Sequence, residues 1–324
     1  MNDPVTDRNL ALEAVRVTEA AAIAACRHLG GGDERAADEA AVKAMNRRLG
    51  TLAMDGTVRM GEGDKTEVEH LYAGQKVGIG SGPKADVAVL ALEGKSIVAR
   101  GGYNALSVLA MAEDGGFLSV PNIYMDKIAV GPGLPDGVAD LDADVGDNLK
   151  KLAKAKKRSI SDLVVCMLDR PRHAQIVAAV REAGARIRLI LDGDVSGVIA
   201  TALPEAGVDL FVGSGRASQG ILAAAALRGL GGQMQARLII RDNDDLAAVR
   251  RAEVSEPETK FGLSDMAGGN VTFAATGVTT GPMLQGVRFA DGIAITHSLV
   301  VRSKTKTLRY IEGRHHVAHA KDKR

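Results

Sequence analysis

The chain has 324 residues, 46% of them hydrophobic and 25% charged, and its 41 Lys and Arg against 40 Asp and Glu leave a formal net charge of +1. That length suggests about two domains, each able to bury a core, and the charge balance excludes the basic footprint that nucleic acid or an anionic membrane surface requires. Four Tyr, five Phe and no Trp offer little for base stacking, and two cysteines in apolar runs, Cys26 and Cys166, exclude a disulfide framework or a cysteine metal site.

The first residues, MNDPVTDRNLALEAV, contain no apolar signal core, and no apolar run reaches the roughly 18 residues of a membrane span. A soluble, cytoplasmic chain is expected. Leu10, Ala14, Val17, Ala21 and Ala24 recur at helical spacing and predict a helix over 7–29, stopped by Gly30-Gly31-Gly32. Asp33 is the expected N-cap of a second helix over 34–49, with Gly50 as its stop. Thr57–Met60 and Asp86–Leu92 read as strands, Asn104–Ala112 as a helix, and Phe117–Val120 and Tyr124–Val130 as strands. PGLPDGVADLDA at 133–144 reads as a long loop, followed by a helix over 146–157 whose KAKKR end is expected to be a solvated face.

From residue 163 strands and helices alternate. LVVCML, IRLIL and VDLFVG are the strands, with helices at 172–183, 195–202 and 219–229 between or after them, which is the pattern of parallel α/β layering. Near the end come VTFAATG and then a hairpin of IAITHSLVV and TLRYIE joined at 302–306.

The chemistry-bearing residues cluster at predicted strand ends. The three strands of the second half run into Asp169-Arg170-Pro171-Arg172-His173, Asp192-Gly193-Asp194 and Gly213-Ser214-Gly215-Arg216. Such ends line one edge of a parallel layer, and helix N-termini with Arg170, Arg172 and Arg216 suit a phosphate group. In the first half Glu62, Asp64, Glu67 and Glu93 could gather oxygens for a hard cation such as Mg²⁺.

The segments RVTEAAA, ADEAAVKAM, MDGTVRMGEG, LYAGQKVGIGSGP, NALSVLA, PNIYMDKIAVGPG, LDRPRH, DGDV and VTFAATGVTTG follow one another in an order and spacing that resemble the class II, GlpX-type, fructose-1,6-bisphosphatases. Inositol-phosphate hydrolysis, from the same fold family, matches fewer of these segments. The resemblance implies the layered α/β/α/β/α sugar-phosphatase fold and hydrolysis of the 1-phosphate of fructose 1,6-bisphosphate with Mn²⁺ or Mg²⁺, a step of gluconeogenesis. It divides the chain into a metal-site half, 1–157, and a phosphate-binding half, 158–324. It also implies a phosphorylated sugar as partner and a homo-oligomeric state.

Carried over by position, the resemblance assigns the substrate to Glu93, Gly94, Tyr124, Arg170, Pro171, Arg172, Asp192, Gly193 and Asp194, with Arg216 at a rim position where the family has glycine. Asp38, Glu62 and Glu93 match metal positions, Glu62 and Glu93 also being catalytic. Leu90 and Gln219 stand where the family has metal-binding carboxylates. Lys95 stands at the catalytic threonine, Thr66 at a catalytic aspartate, and Glu34 and Arg35 at an early lysine and asparagine. Hard divalent ions need several charged oxygens, and a lysine among them repels the ion, so metal binding is expected to be weak or absent and hydrolysis weak or lost. Lys95 is expected to pair with Glu62 or Glu93. The alternative is an active phosphatase on fructose 1,6-bisphosphate or a related sugar bisphosphate.

Overall fold

Helices alternate with strands along most of the chain, and the strands gather into two mixed sheets. The computed structural model describes residues 5–252, 254 and 256–317. In chain order its elements are α1 (Val5–Cys26), α2 (Glu34–Leu49), β1 (Asp55–Met60), β2 (Lys76–Val77), β3 (Lys84–Glu93), α3 (Lys95–Arg100), β4 (Leu106–Glu113), β5 (Tyr124–Val130), α4 (Val145–Lys156), β6 (Val164–Leu168), α5 (Ala174–Glu182), β7 (Arg186–Ile190) and α6 (Asp194–Ala200). Then follow β8 (Leu210–Arg216), α7 (Ala217–Leu230), β9 (Gln233–Ile239), α8 (Asn243–Arg251), β10 (Phe261–Gly262), α9 (Leu263–Met266), β11 (Val271–Gly277), β12 (Arg288–Ala290), β13 (Ile293–Arg302) and β14 (Thr307–His316). The α/β class expected from the alternation is the class observed. No helix among the described residues is long and apolar enough to cross a membrane.

The chain divides into two units along lines other than the halves 1–157 and 158–324. Among the described residues one unit takes 5–111, Thr272–Arg302 and 307–317; the other takes Ala112–Val271 and Ser303–Lys306. The cause is the return of the C-terminal strands to the first sheet, whose order among the described residues is β12-β13-β11-β4-β3-β1-β2, with β14 beside β13. Long-range strand pairing of this kind leaves no local mark in the sequence.

In the first unit α1 and α2 pack on each other and on this sheet. Asp33 caps α2 by accepting the Ala36 N–H at 2.9 Å, and Gly50 ends it, as the spacing predicts. Ala37, Ala41, Met45 and Leu49 form its buried stripe. Strand β4 corrects the sequence reading, which made Asn104–Ala112 a helix. It lies between β3 and β11, and Leu106–Ala112 are all buried. A strand covered on both faces reads as a continuous apolar run, which periodicity cannot tell from a buried helix. Phe117–Val120, expected as a strand, is loop apart from a single bridge between Phe117 and Ala267. The turn at Gly115-Gly116 before it and Pro121 after it leave no room for a ladder.

In the second unit the sheet order is β10-β9-β5-β8-β6-β7. Strand β6 pairs in parallel with both β7 and β8, as the alternation implied. The antiparallel strands β5 and β9 extend it into a mixed sheet. Alternate side chains of β6 serve opposite faces. Val165 and Met167 join a core with Leu149 and Leu152 of α4 and Val180 of α5. Cys166 and, on β8, Phe211 face the other way, where Gly197 of α6 lies so close that an added Cβ would come within 2.8 Å of the Phe211 ring. Burial pushes the Cys166 thiol up to about 12 and also raises that of Cys26 in α1.

Leu109, at the centre of β4, is fully buried. Leu109→Ala is expected to cost about 2–5 kcal/mol, the usual loss for a core leucine, measured as a shift in denaturant midpoint at constant slope.

Candidate functional site

Two groups of polar side chains sit at strand ends, one in each unit. In the first unit β3 ends at Glu93, which is 1% exposed, and the chain turns through Gly94 into α3. Gly94 has φ +88°, and a Cβ there would press on the Ile97 side chain at 3.0 Å, so the turn requires glycine. Glu62 follows β1, and its Oε1 accepts the Ala91 N–H at 2.7 Å. Asp38 projects from α2, and the Lys95 ammonium lies 3.6 Å from its Oδ2. Lys95 therefore pairs with Asp38, and its charge also acts on Glu62, one of the two expected partners. It stands at the first position of α3, and its long stem reaches the neighbouring helix α2.

Burial raises the Glu62 carboxyl to about 7; the Asp38 charge pushes the same way, while the Ala91 N–H and Lys95 oppose it. Burial also raises Asp38, with Lys95 pulling it back. Asp64, Thr66 and Glu67 stand apart from this group. They are exposed, and the Asp64 N–H bonds the Glu67 side chain within its own turn at 3.2 Å.

In the second unit the ends of β5, β6, β8 and β9 bring together an aromatic ring and several cations. Tyr124 opens β5, directly opposite Arg216 on β8 and Ile239 on β9. Three guanidinium carbons lie over its ring, from Arg241 at 4.3 Å, Arg172 at 5.1 Å and Arg216 at 5.3 Å. Arg241 is braced by Asp245 through Nε–Oδ2 at 2.9 Å and Nη2–Oδ1 at 3.2 Å. Arg172 donates to the Ser214 carbonyl at 2.7 Å and hydroxyl at 3.1 Å, and Arg216 donates to the Asn122 carbonyl at 2.9 Å. Arg170 donates to its neighbour's carbonyl, that of Asp169, at 3.0 Å. Pro171 begins the short 3₁₀ turn that presents Arg172.

His173, 2% exposed, ties that turn to β8. Its Nε2 accepts the Ser214 N–H at 2.9 Å, so Nδ1 carries the proton and donates to the Leu168 carbonyl at 2.9 Å. Beneath the cluster lies a buried ion pair between Lys127 of β5 and Asp194, the first residue of α6. Lys127 also donates to the Arg216 carbonyl at 3.2 Å. Asp194 thus faces inward at 1% exposure, Gly193 makes the turn with φ +100°, and the Asp192 Oδ1 accepts the Gly193 N–H at 2.9 Å. Gln219, in the first turn of α7, uses its side-chain oxygen to accept the Arg216 N–H at 3.2 Å.

Arg241 and Lys127 escaped the sequence reading. Arg241 follows β9, whose alternation of buried Met234, Ala236 and Leu238 with half-exposed neighbours was the available signal. Lys127 sits in an apolar run, where a lysine demands a buried partner.

Two mixed sheets with helices and polar groups at strand ends define an α/β fold of the phosphatase kind. Residues 8–315 match the family described as bacterial fructose-1,6-bisphosphatase, glpX-encoded, and the chain belongs to that family. It is 41% identical, across 96% of each chain, to the fructose-1,6-bisphosphatase 1 class 2 of Escherichia coli K12. The same identity and coverage hold for the fructose-1,6-bisphosphatase class 2 of Shigella flexneri.

The family depends on a divalent metal, but the side chains present do not fit one. Leu90 offers no donor, Asp38 has an ammonium beside it, and Glu62 already accepts a backbone N–H. Among the described residues no three His, Cys, Asp or Glu side chains come together in a way that could hold an ion.

The Lys95–Asp38 pair is half-exposed on the lysine side, so solvent screens it. Lys95→Thr is expected to change stability by less than about 1 kcal/mol in a denaturant melt, as exposed ion pairs do. Glu62 gives a pH signature of opposite sense to an ordinary ion-paired carboxylate. Folded Glu62 holds its proton up to about 7 while the unfolded group releases it near 4.5, so its contribution to stability falls as pH rises through that window. Thermal melts between pH 5 and 8 should show Glu62→Gln gaining on the unsubstituted chain as pH increases; parallel curves would refute the assignment.

Proposed function

We propose that this family member binds a phosphorylated sugar at the Tyr124 cluster and that its metal-dependent hydrolysis of fructose 1,6-bisphosphate is weak or lost. The observation that carries the reading is the convergence of Arg172, Arg216 and Arg241 on one phenol ring, with Asp245 bracing only the last. A phosphate monoester brings negative charge and several acceptor oxygens, and guanidinium forks meet such oxygens in pairs. The carbonyls of Ser214 and Asn122 hold two forks in place without cancelling their charge.

Around this anchor Arg170 and Pro171 supply the turn, and Asp192 and Gly193 supply a hydroxyl-binding edge for the sugar. Asp194 supports that edge from behind through Lys127. Arg216 adds a cation where the family's glycine adds none. In the first unit the family resemblance adds Glu93 and Gly94 to the substrate residues, and Lys95 takes the place of a cation beside Asp38. Retained phosphate chemistry with a replaced metal set favours binding over turnover. The buried, unpaired-by-disulfide cysteines suit a reducing compartment, which supports a cytoplasmic location.

The test uses two readouts on one preparation. Fructose 1,6-bisphosphate and fructose 6-phosphate at millimolar concentration should raise the melting temperature, since a ligand of the folded state stabilises it by RT ln(1 + [L]/Kd). Arg172→Ala should erase the rise. Phosphate release from fructose 1,6-bisphosphate with Mn²⁺ should stay near background. Release at the rate of the Escherichia coli relative, assayed in parallel, would make this chain an active phosphatase, and a flat melt with every sugar phosphate would remove the binding site.

A further inference from the structure

The crevice uses the C-terminal ends of β6 and β8, but a second cavity opens where β6, β7 and β8 begin, at the other end of the same sheet. Its volume is about 530 Å³, within the range of small-molecule sites, and Lys156, Arg158, Arg186, Arg188 and Asp209 line it. The first two belong to the KAKKR segment, which sequence alone reads as a solvated helix end. Lys154, Lys157 and Arg158 are indeed exposed, yet Lys156 and Arg158 also reach Asp209.

The charges there are unbalanced. Asp209 is the carboxylate of the cavity, and both its oxygens are taken: Oδ1 accepts Lys156 at 2.6 Å and Arg158 at 3.1 Å, and Oδ2 accepts the Val164 N–H at 2.9 Å. Arg158 and Arg186 donate side by side to one carbonyl, that of Asp162, at 2.8 and 2.5 Å. Arg188 donates to the Ala206 carbonyl at 2.6 Å. Carbonyl oxygens orient guanidinium groups without neutralising them, so the lining cations outnumber their carboxylate. Leu203 and Val208 add an apolar wall.

Oriented forks, surplus positive charge and enclosed volume together specify an anion larger than a single phosphate. We propose that this cavity is a second binding site, separate from the Tyr124 crevice, for a small ligand carrying two or more phosphate groups. The phosphates lie against Arg158, Arg186 and Arg188, and any ring attached to them lies on the apolar wall. The proposal does not depend on the sugar-phosphate reading, because the two sites share no side chain.

Pyrophosphate and ADP, titrated calorimetrically into the full chain, test it. Binding should persist in the crevice variant Arg172→Gln/Arg216→Gln and weaken about tenfold or more in Arg186→Gln/Arg188→Gln, the loss expected when charge-assisted bonds are removed. Should that double variant fail to fold, Arg158→Gln changes a more exposed group (43% exposed) and is expected to weaken both probes. Hydrogen exchange on the unsubstituted chain should show pyrophosphate protecting 201–208. Equal affinities would assign recognition to the phosphates, and tighter ADP binding would add the apolar wall. Loss of both probes in the crevice variant alone, or no heat and no protection at millimolar pyrophosphate, would overturn the proposal.

Discussion

The buried pair of Lys127 and Asp194 is the interaction on which the second unit's strand ends depend. It joins β5 to the first turn of α6, and the same ammonium holds the carbonyl of Arg216 at the end of β8. Three separate chain segments therefore meet at one nitrogen. The pair also dictates its neighbours: a Cβ on Gly215 would lie 1.9 Å from Asp194 Oδ2 and 2.9 Å from the lysine nitrogen, so the position admits hydrogen alone. Removing one member would leave the other charged and dry, which typically costs about 3–5 kcal/mol. Everything exposed at the crevice, from the Asp192-Gly193 turn to the Arg216 guanidinium, rests on this enclosed contact.

Gln219, Lys95 and Glu62 each have a partner in this structure. Gln219 completes the first turn of α7 by taking the Arg216 N–H. Lys95 brings positive charge to Asp38, and the Ala91 backbone satisfies one oxygen of Glu62. Burial raises the Glu62 carboxyl to about 7, with the Asp38 charge pushing the same way and Lys95 opposing it.

How far the sequence disclosed all this depended on whether the cause was local. Helices α1 and α2 carry their own periodicity and caps, and β6 to β8 alternate with helices, so their places could be read directly. Strand β4 could not, because burial on both faces erases the alternation that marks a strand. The crevice was readable as far as its residues sat in strand-end motifs: Tyr124, Arg172 and Arg216 do gather there. Arg241 comes from a strand that matched no motif, and the partner of Lys95 was set by the packing of α2 beside α3, which no spacing along the chain encodes.

Each unit encloses one of the chain's two thiols, Cys26 in α1 and Cys166 in β6. A thiol with its ionisation pushed to about 12 presents almost no thiolate at neutral pH, and a buried one presents no path for a reagent. Alkylation of either sulfur therefore waits for the local structure around it to open. The two cysteines act as a pair of internal clocks, one per unit, that time the opening around α1 and around β6 separately in the native protein without a probe having to be added to the chain.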